Sequence, residues 1–596
     1  MNHKKRDKSP GNVSRRVFYL SVQAFMNAVL VGFVAKGLVM LISLFTNLSF
    51  YGEFSFEERG PAGNHLGWYV VLVPIAGSLI VGVMARFGSK AIRGHGIPEA
   101  MENIILNESK IPPIITFLKP LSAAISIGTG GPFGAEGPII ATGGAMGSFT
   151  GQVIHISSAE RKVLLAAGAC AGMSAIFGSP LAAILLAIEL LLFEFSPRAV
   201  IPVAIACITG GGMHLLLFGA EPVFMMPAIP AVSDMALVTY VLMGVAIGVV
   251  AALVSRSVYL VEDLFEKLPV HWMWWPALGA VAVGVIGYFA PHTMGVGYDN
   301  ITTLLTGNVP LNLIISLCLL KYLSWVISLG SGTSGGTLAP LFTIGGALGA
   351  LTGVLVLQLF PNCGINLATA ALIGMAAMFA GASRALLTAI VFAMETTGQP
   401  HGLLPLIGAC TAAYFVSFFL MKGSIMTEKI RRRGVVAPEE YTPDMMQLIN
   451  AGSLQEQPLT VSSRLALSEV NFLLKDYPWY HRHLIVTDDG GNFNGYLNME
   501  KLRENTSLKV SEVMEKSAPF VNQGDDAAAI SLLLNRYQLS IMAVMKDGKL
   551  TGIVSADAIL HGYAERYHAT TKYHSAFLGN IRLLRLMAGG KRILQR

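Results

Sequence analysis

Three short glycine corners carry the residue types and spacing best able to do chemistry in this chain. They are Gly94-His95-Gly96-Ile97-Pro98, Gly134-Ala135-Glu136-Gly137-Pro138 and Gly335-Gly336-Thr337-Leu338-Ala339-Pro340. In each, glycine lets the backbone approach a ligand closely, and proline can open a helix because its missing N–H would be unpaired there anyway. A helix that begins in such a turn leaves free amides at the positive end of its dipole. That is an anion site made without a full positive charge, and an ion held by partial charges can leave again, as conduction requires. Glu136 is the odd member, a carboxylate at a helix start where an anion would bind. It can take the anion's place or vacate it on protonation, which makes it a gate.

Corners of this kind need helices that begin inside an apolar medium, and the rest of the chain supplies them. Of 596 residues, 53% are hydrophobic and 13% charged, about half of the roughly 25% charged share of soluble chains. The 63 glycines fit close helix packing in a bilayer. Apolar runs recur at about 17–47, 67–88, 112–128, 138–154, 163–193, 199–218, 236–260, 273–291, 311–329, 338–360, 366–397 and 402–421. Several fall short of the roughly 20 residues of a straight crossing, whereas 163–193 and 366–397 can hold more than one helix. Broken helices are tolerated in a membrane only where they line a cavity or lie within protein. The pattern predicts a transport pathway, not an anchor.

An internal repeat adds to this. Residues 128–151 align without gaps to 330–353 with ten identities, at Gly128, Gly130, Gly134, Pro138, Gly143, Gly144, Ala145, Gly147, Thr150 and Gly151. A second pair, 168–189 and 374–395, ends in Glu189 and Glu395. Small-residue bias alone does not put a proline and so many glycines in register. Two related halves are common in transporters, with the substrate site at their interface. Halves of about 19–220 and 235–434, each crossing an odd number of times, would be inverted and leave both termini on one side.

Charge placement agrees. Basic residues gather at Lys4, Lys5, Arg6, Lys8, Arg15 and Arg16, and again at Lys429, Arg431, Arg432 and Arg433. By the positive-inside rule the cytoplasmic N-terminal segment 1–18 and the end of the membrane domain, 19–434, share the cytoplasm. Beside such spans the basic tail is not read as a nucleic-acid site. No small-residue cleavage site follows the first apolar run, so a removable signal peptide is not expected. Cys170, Cys207, Cys318, Cys363 and Cys410 lack metal or disulfide spacing and read as packing residues. An enzyme would need a nucleophile–base pair or a metal constellation, and no His falls within the repeated core segments. A divalent-cation transporter, the remote alternative, would need clustered oxygen ligands, whereas Glu136, Glu189, Glu194 and Glu395 form no paired cluster in sequence.

The three corners resemble, in order, the pore motifs G-S-G-I-P, G-[K/R]-E-G-P and G-x-F-x-P of the CLC chloride channel and transporter family. Lys119 precedes Glu136 at the spacing of that family's buried pore lysine, and Ser179-Pro180-Leu181 opens the helix expected before Glu189. The resemblance implies a mainly α polytopic fold of two inverted repeats of tilted and broken helices, and a homodimer with one pore per subunit in the plasma (cell inner) membrane. It implies Glu136 as the external gate. His95, Gly96, Ile97, Gly134, Ala135, Gly137, Thr337, Leu338 and Met426 would be the anion-binding positions, with chloride or another small anion and membrane lipid as partners.

Departures from the motifs matter as much. His95 stands where chloride-selective members mostly have Ser; an imidazole N–H can still donate to an anion, and a protonated ring would bind one more tightly. Ala135 replaces a basic residue, and Leu338 replaces Phe. Met426 falls where an inner-pore Tyr is expected, and Met donates nothing. Leu190 occupies the place of the internal glutamate of proton-coupled exchangers and cannot relay a proton. Glu194, one helical turn on, could substitute. Glu189 is a further candidate for a proton path, although its counterpart Glu395 at the equivalent end of the other half favours a structural role. These losses favour a chloride channel, with chloride/proton antiport as the alternative.

After residue 434 the chain turns soluble in character. Two units, about 450–505 and 506–566, each read as helix, strand, Gly-containing turn, strand, helix. The helices are expected over 465–475, 525–536 and 556–564, and the strands around His483–Thr487, Gly495–Leu497, Ile541–Met545 and Gly552–Val554. The order resembles an α/β pair of CBS modules. Such pairs bind adenine nucleotides in some proteins, and Asp557 could hold a ribose, although a structural or dimerising role suits the spacing better; no other cofactor is expected. The tail 567–596 is basic and could touch lipid headgroups.

Overall fold

The computed structural model describes residues 10–154, 156–435, 438, 445–474, 482–504, 508–516 and 518–566. The chain forms two compact units, divided between Thr442 and Pro443 apart from residues 156–159, which group with the second. The basic residues at positions 4–8 and the tail 567–596 lie outside the described residues.

The first unit is helical throughout. Its helices are α1 (Pro10–Phe50), α2 (Leu72–Phe87), α3 (Ile97–Leu106), α4 (Ile115–Gly128), α5 (Glu136–Val153), α6 (Ser158–Phe177), α7 (Pro180–Leu186), α8 (Pro197–Leu217) and α9 (Asp234–Glu266). The series continues with α10 (Trp275–Phe289), α11 (Tyr298–Leu305), α12 (Leu311–Ile315), α13 (Lys321–Gly330), α14 (Leu338–Leu359), α15 (Leu367–Ser383), α16 (Leu386–Thr397), α17 (Leu403–Leu420) and α18 (Glu428–Arg432). Eight helical stretches among the described residues are long and apolar enough to cross a membrane. The long runs expected to hold more than one helix do so: 163–193 becomes α6, α7 and a wide π-type turn over Ala187–Leu192, and 366–397 becomes α15 and α16. The run at 17–47 is the middle of a longer helix, because Arg16 at its start is held by Glu160 and the helix extends past the apolar stretch at both ends.

The repeated glycines explain how the helices approach. A Cβ on Gly143 would lie 2.2 Å from the carbonyl oxygen of Gly168, and one on Gly168 would lie 2.2 Å from that of Gly143. In the second half Gly345 and Gly374 make the same crossing, at 2.6 and 2.2 Å. So α5 crosses α6, and α14 crosses α15, backbone on backbone. In a bilayer, where lipid is as apolar as leucine, such close packing is a main source of helix association. All five cysteines are buried and free.

The second unit contains two three-stranded sheets. β1 (Thr460–Ser462) pairs parallel to β2 (His483–Thr487), which pairs antiparallel to β3 (Phe493–Asn498). β4 (Phe520–Asn522), β5 (Ile541–Lys546) and β6 (Lys549–Ser555) repeat that order. Helices at Leu467–Leu474, Ala527–Arg536 and 556–566 lie close to the expected spans. The modules are interlaced, which shifts the boundaries expected at 450 and 506. Ile449 and Ala451 pack in the core of β4–β6, and Asn450 bridges to Asp526. Val510 packs in the core of β1–β3, with Val513 against it.

Replacing Gly168 or Gly374 with valine forces a side chain into a backbone carbonyl, and a destabilisation of about 2 kcal/mol or more is expected. The thermal midpoint of the detergent-solubilised protein should fall for both variants and stay unchanged for a valine at Gly37, whose Cβ would meet nothing within 4 Å.

Candidate functional site

The glycine corners meet. Gly134 and Gly336 exchange backbone hydrogen bonds, Gly134 N–H to the Gly336 carbonyl at 3.2 Å and the reverse at 3.0 Å. Gly94 donates to the Thr333 carbonyl at 3.0 Å, which brings in the first corner. Contact is so close that a Cβ on Gly96 would lie 2.1 Å from the Gly137 carbonyl oxygen, and one on Gly137 would lie 1.9 Å from that of His95. Gly96 also has φ +98°, a conformation only glycine adopts freely. Ser122 and Ser334 hydroxyls join the halves at 3.1 Å.

From this junction α3, α5 and α14 start at Ile97, Glu136 and Leu338, so the first-turn amides of three helices open from one buried place. The Glu136 side chain is fully buried and lies over the junction: a Cβ on Gly134 or Gly336 would meet its Oε2. Its Oε1 accepts from the Tyr298 hydroxyl at 3.0 Å. The carboxyl group interacts with the amides of Glu136 itself and of Ala339, and Oε2 has no well-directed hydrogen bond among the described residues. His95 Nδ1, Thr333 Oγ1 and Thr337 Oγ1 are also buried without a hydrogen-bond partner there. Buried polar groups are normally satisfied, so donors left open at a helix-start junction suit a small anion or water.

Lys119 is buried behind the first corner, donating to the carbonyls of Ile92 and Gly94 at 2.8 and 2.9 Å. It fastens the corner's backbone and adds positive potential from behind. Ile97, Gly137 and Leu338 are buried, and Ala135 is buried at the turn into α5. Met426 is buried in the turn after α17. Ile425 before it donates to the Ala382 carbonyl at 2.9 Å and accepts from the Tyr259 hydroxyl at 2.6 Å. This turn leads into α18, which is tied to the first corner by Lys429 bonded to Glu99 at 2.6 Å. Glu99 in turn accepts from the Gly96 amide at 2.6 Å, as in a capping box.

Two residues read as a proton path are placed differently. Glu189 is committed to capping α16, accepting from the amides of Leu387 and Thr388 at 2.9 Å each and from the Thr388 hydroxyl at 2.6 Å. Glu395 caps α7 in the same way, from Leu181 and Ala182 at 3.0 and 2.8 Å. Glu189 is therefore a structural acid, with the orphan amides of a helix beginning inside the unit as its reason. Glu194 is buried, 3.3 Å from Lys162 and 2.6 Å from the Ser196 hydroxyl. Lys162 follows Glu160, the partner of Arg16, so Glu194 lies at the end of the unit where α1 begins. Asp557 is exposed on the helix over 556–566. In its unit, burial pulls the His483 imidazole below its ordinary value.

Sequence reasoning missed Tyr298, Lys321, Glu99 and Lys429 as site residues. Lys321 was findable, because it stands 202 residues after Lys119, the offset that also aligns Gly330 with Gly128. It is buried and donates to the Gly295 carbonyl at 2.9 Å.

Broken helices of two repeated halves, aiming backbone amides at a buried junction closed by one carboxylate, define an integral membrane protein of the anion-transporting kind. The chain belongs to the voltage gated chloride channel family, whose model matches residues 76–418; a CBS domain model matches residues 510–565. Among curated relatives, a ClcB-like chloride channel protein of Ralstonia nicotianae is 26% identical over 369 residues, covering 61% of this chain and 86% of its own. The H(+)/Cl(-) exchange transporter ClcA of Yersinia pestis is 30% identical over 374 residues, covering 60% and 76%. The solved structure of a slow cyanobacterial Cl-/H+ antiporter shares the fold with a TM-score of 0.63 at 23% identity, covering 70% and 97%.

Breaking one side of a largely buried ion pair leaves an uncompensated charge and costs about 3 kcal/mol or more. Lys429→Met should therefore lower the thermal midpoint and loosen α18 from α3. Lys429→Met together with Glu99→Gln should recover part of that loss, because no lone carboxylate is left.

Proposed function

We propose that this protein moves chloride across a membrane in exchange for protons. The observation that carries the proposal is the Glu136 carboxylate lying over the junction of three helix starts, where an anion and a carboxylate compete for the same amides. Ionised, the side chain holds the place of the anion. Protonated, it loses its claim on the amides and withdraws, so each turnover can pair an entering anion with a departing proton. The relative named for H(+)/Cl(-) exchange, at 30% identity, supports antiport over the channel reading.

The channel reading keeps one specific observation: Leu190, buried and apolar, sits where an exchanger would carry its inner acid. In the antiport reading Glu194 takes that part, being a buried carboxylate at the end of the unit that carries Arg15 and Arg16.

The basic residues beside both ends of the membrane unit support cytoplasmic termini, and the family resemblance supports a homodimer with one pathway per subunit in the plasma membrane. Within the CBS pair, a structural or dimerising role suits the exposed Asp557 better than a nucleotide site does.

Liposome reconstitution with chloride and protons followed together tests the proposal. A chloride gradient is expected to drive protons uphill, and Glu136→Gln to abolish that coupling and flatten the pH dependence of chloride flux. Glu194→Gln should lower proton flux more than chloride flux. Chloride movement with no coupled protons in the unaltered protein would contradict antiport and restore the channel.

A further inference from the structure

The gate has a partner outside the three corners. Tyr298 is the first residue of α11, and its hydroxyl donates to Glu136 Oε1 at 3.0 Å. The approach to α11 repeats that to α3. Gly295-Val296-Gly297 precedes it as Gly94-His95-Gly96 precedes α3, and Gly297 has φ +78° where Gly96 has +98°. In both, the carbonyl of the first glycine accepts from a buried lysine at 2.9 Å, Lys119 in one half and Lys321 in the other. Those lysines are separated by the repeat offset of 202 residues. Tyr298 thus holds in the second half the place that Ile97 holds in the first, and α11 is a fourth glycine-led helix start that faces the gate.

The ring is fixed in direction. It packs edge-on against Phe177 and Phe224, with centroids 5.8 and 5.9 Å away, and Phe177 in turn packs edge-on against Phe392 at 5.0 Å. Glu136 is fully buried, whereas the Tyr298 residue is partly exposed. Met294, just before α11, packs with Phe50 at the far end of α1, which puts this approach at the end of α1 opposite Arg15 and Arg16. Of charged groups, Lys321 from α13 bears on Glu136 and Glu58 from the loop after α1 bears on Tyr298, each through its field. The Lys321 ammonium bonds Gly295, so it acts on Glu136 through its field and not by contact.

We infer that Tyr298 is a positioning residue of the gate and the outermost side-chain donor to the transported halide. Its hydroxyl holds the ionised Glu136 in the anion's place, and the same hydroxyl is offered to the halide when the protonated side chain withdraws. At the turn of Met426 the side chain has no donor to give, and the Tyr259 hydroxyl beside it is spent on the Ile425 carbonyl at 2.6 Å. The inference rests on the reading of Glu136 as the gate.

Tyr298→Phe keeps the ring in its aromatic setting and removes only the oxygen, and its monodispersity in detergent checks the fold. In liposomes, the pH of half-maximal chloride flux should move up by about one unit, because an ionised carboxylate that loses a hydrogen bond takes up a proton more readily. The chloride concentration for half-maximal flux should rise about tenfold. In a Glu136→Gln background the same change should leave the pH profile alone. A Tyr298→Phe profile that stays in place or moves down overturns the positioning role, and an unchanged chloride requirement overturns the donor role. Should Glu136→Gln alone leave the pH dependence intact, the gate reading itself fails.

Discussion

Amides from separate helix starts must come together at one point in apolar surroundings, and everything else in the membrane unit serves that approach. A single Cβ would prevent it: on Gly96 it would meet the Gly137 carbonyl at 2.1 Å, and on Gly336 the Gly134 carbonyl at 2.6 Å. What the junction gains is an anion site of partial charges. A buried lysine aimed at the same point would bind a halide and release it slowly, while helix-end dipoles attract it without trapping it. The two lysines that the repeat duplicates, Lys119 and Lys321, are tied to glycine carbonyls, and Lys429 is paired with Glu99.

A helix that begins within a membrane protein needs acceptors for its first amides. Here each half supplies them to the other. Glu189 caps α16 and Glu395 caps α7, so the two short helices that could not stand alone are held by reciprocal carboxylates. Lysine-to-glycine ties and the Gly143–Gly168 and Gly345–Gly374 crossings are likewise duplicated. Duplication is thus how the unit satisfies its polar backbone, and the anion junction sits where the halves adjoin. The exception to the symmetry is the gate: Glu136 aligns with Leu338, so one helix start carries a carboxylate and its counterpart is apolar.

Much of this was legible in the sequence, because its strongest signals are chemical. Glycine-led corners, a proline in each, and the ten-residue match between halves all follow from residue types that backbone geometry demands. The broken runs at 163–193 and 366–397 were legible from length alone. The short strands Thr460–Ser462 and Phe520–Asn522 were not, since three residues show no period, and the interlacing of the two modules leaves no local mark. Glu189 stood as a possible proton carrier, while its repeat counterpart Glu395 already pointed to a structural part; which amides it caps was not legible, because they lie 198 residues away. Tyr298 was missed for a similar reason. Its segment lacks the proline that marked the other corners, and only the fold shows its hydroxyl against Glu136.

The central claim is tested most directly by locating a heavy halide. Crystals of the Glu136→Gln protein grown in bromide should show an anomalous peak at the junction of Gly94–Ile97, Gly134–Gly137 and Gly335–Leu338, within hydrogen-bonding reach of first-turn amides. Bromide bound only elsewhere, or a junction that stays empty at saturating bromide, would contradict the account.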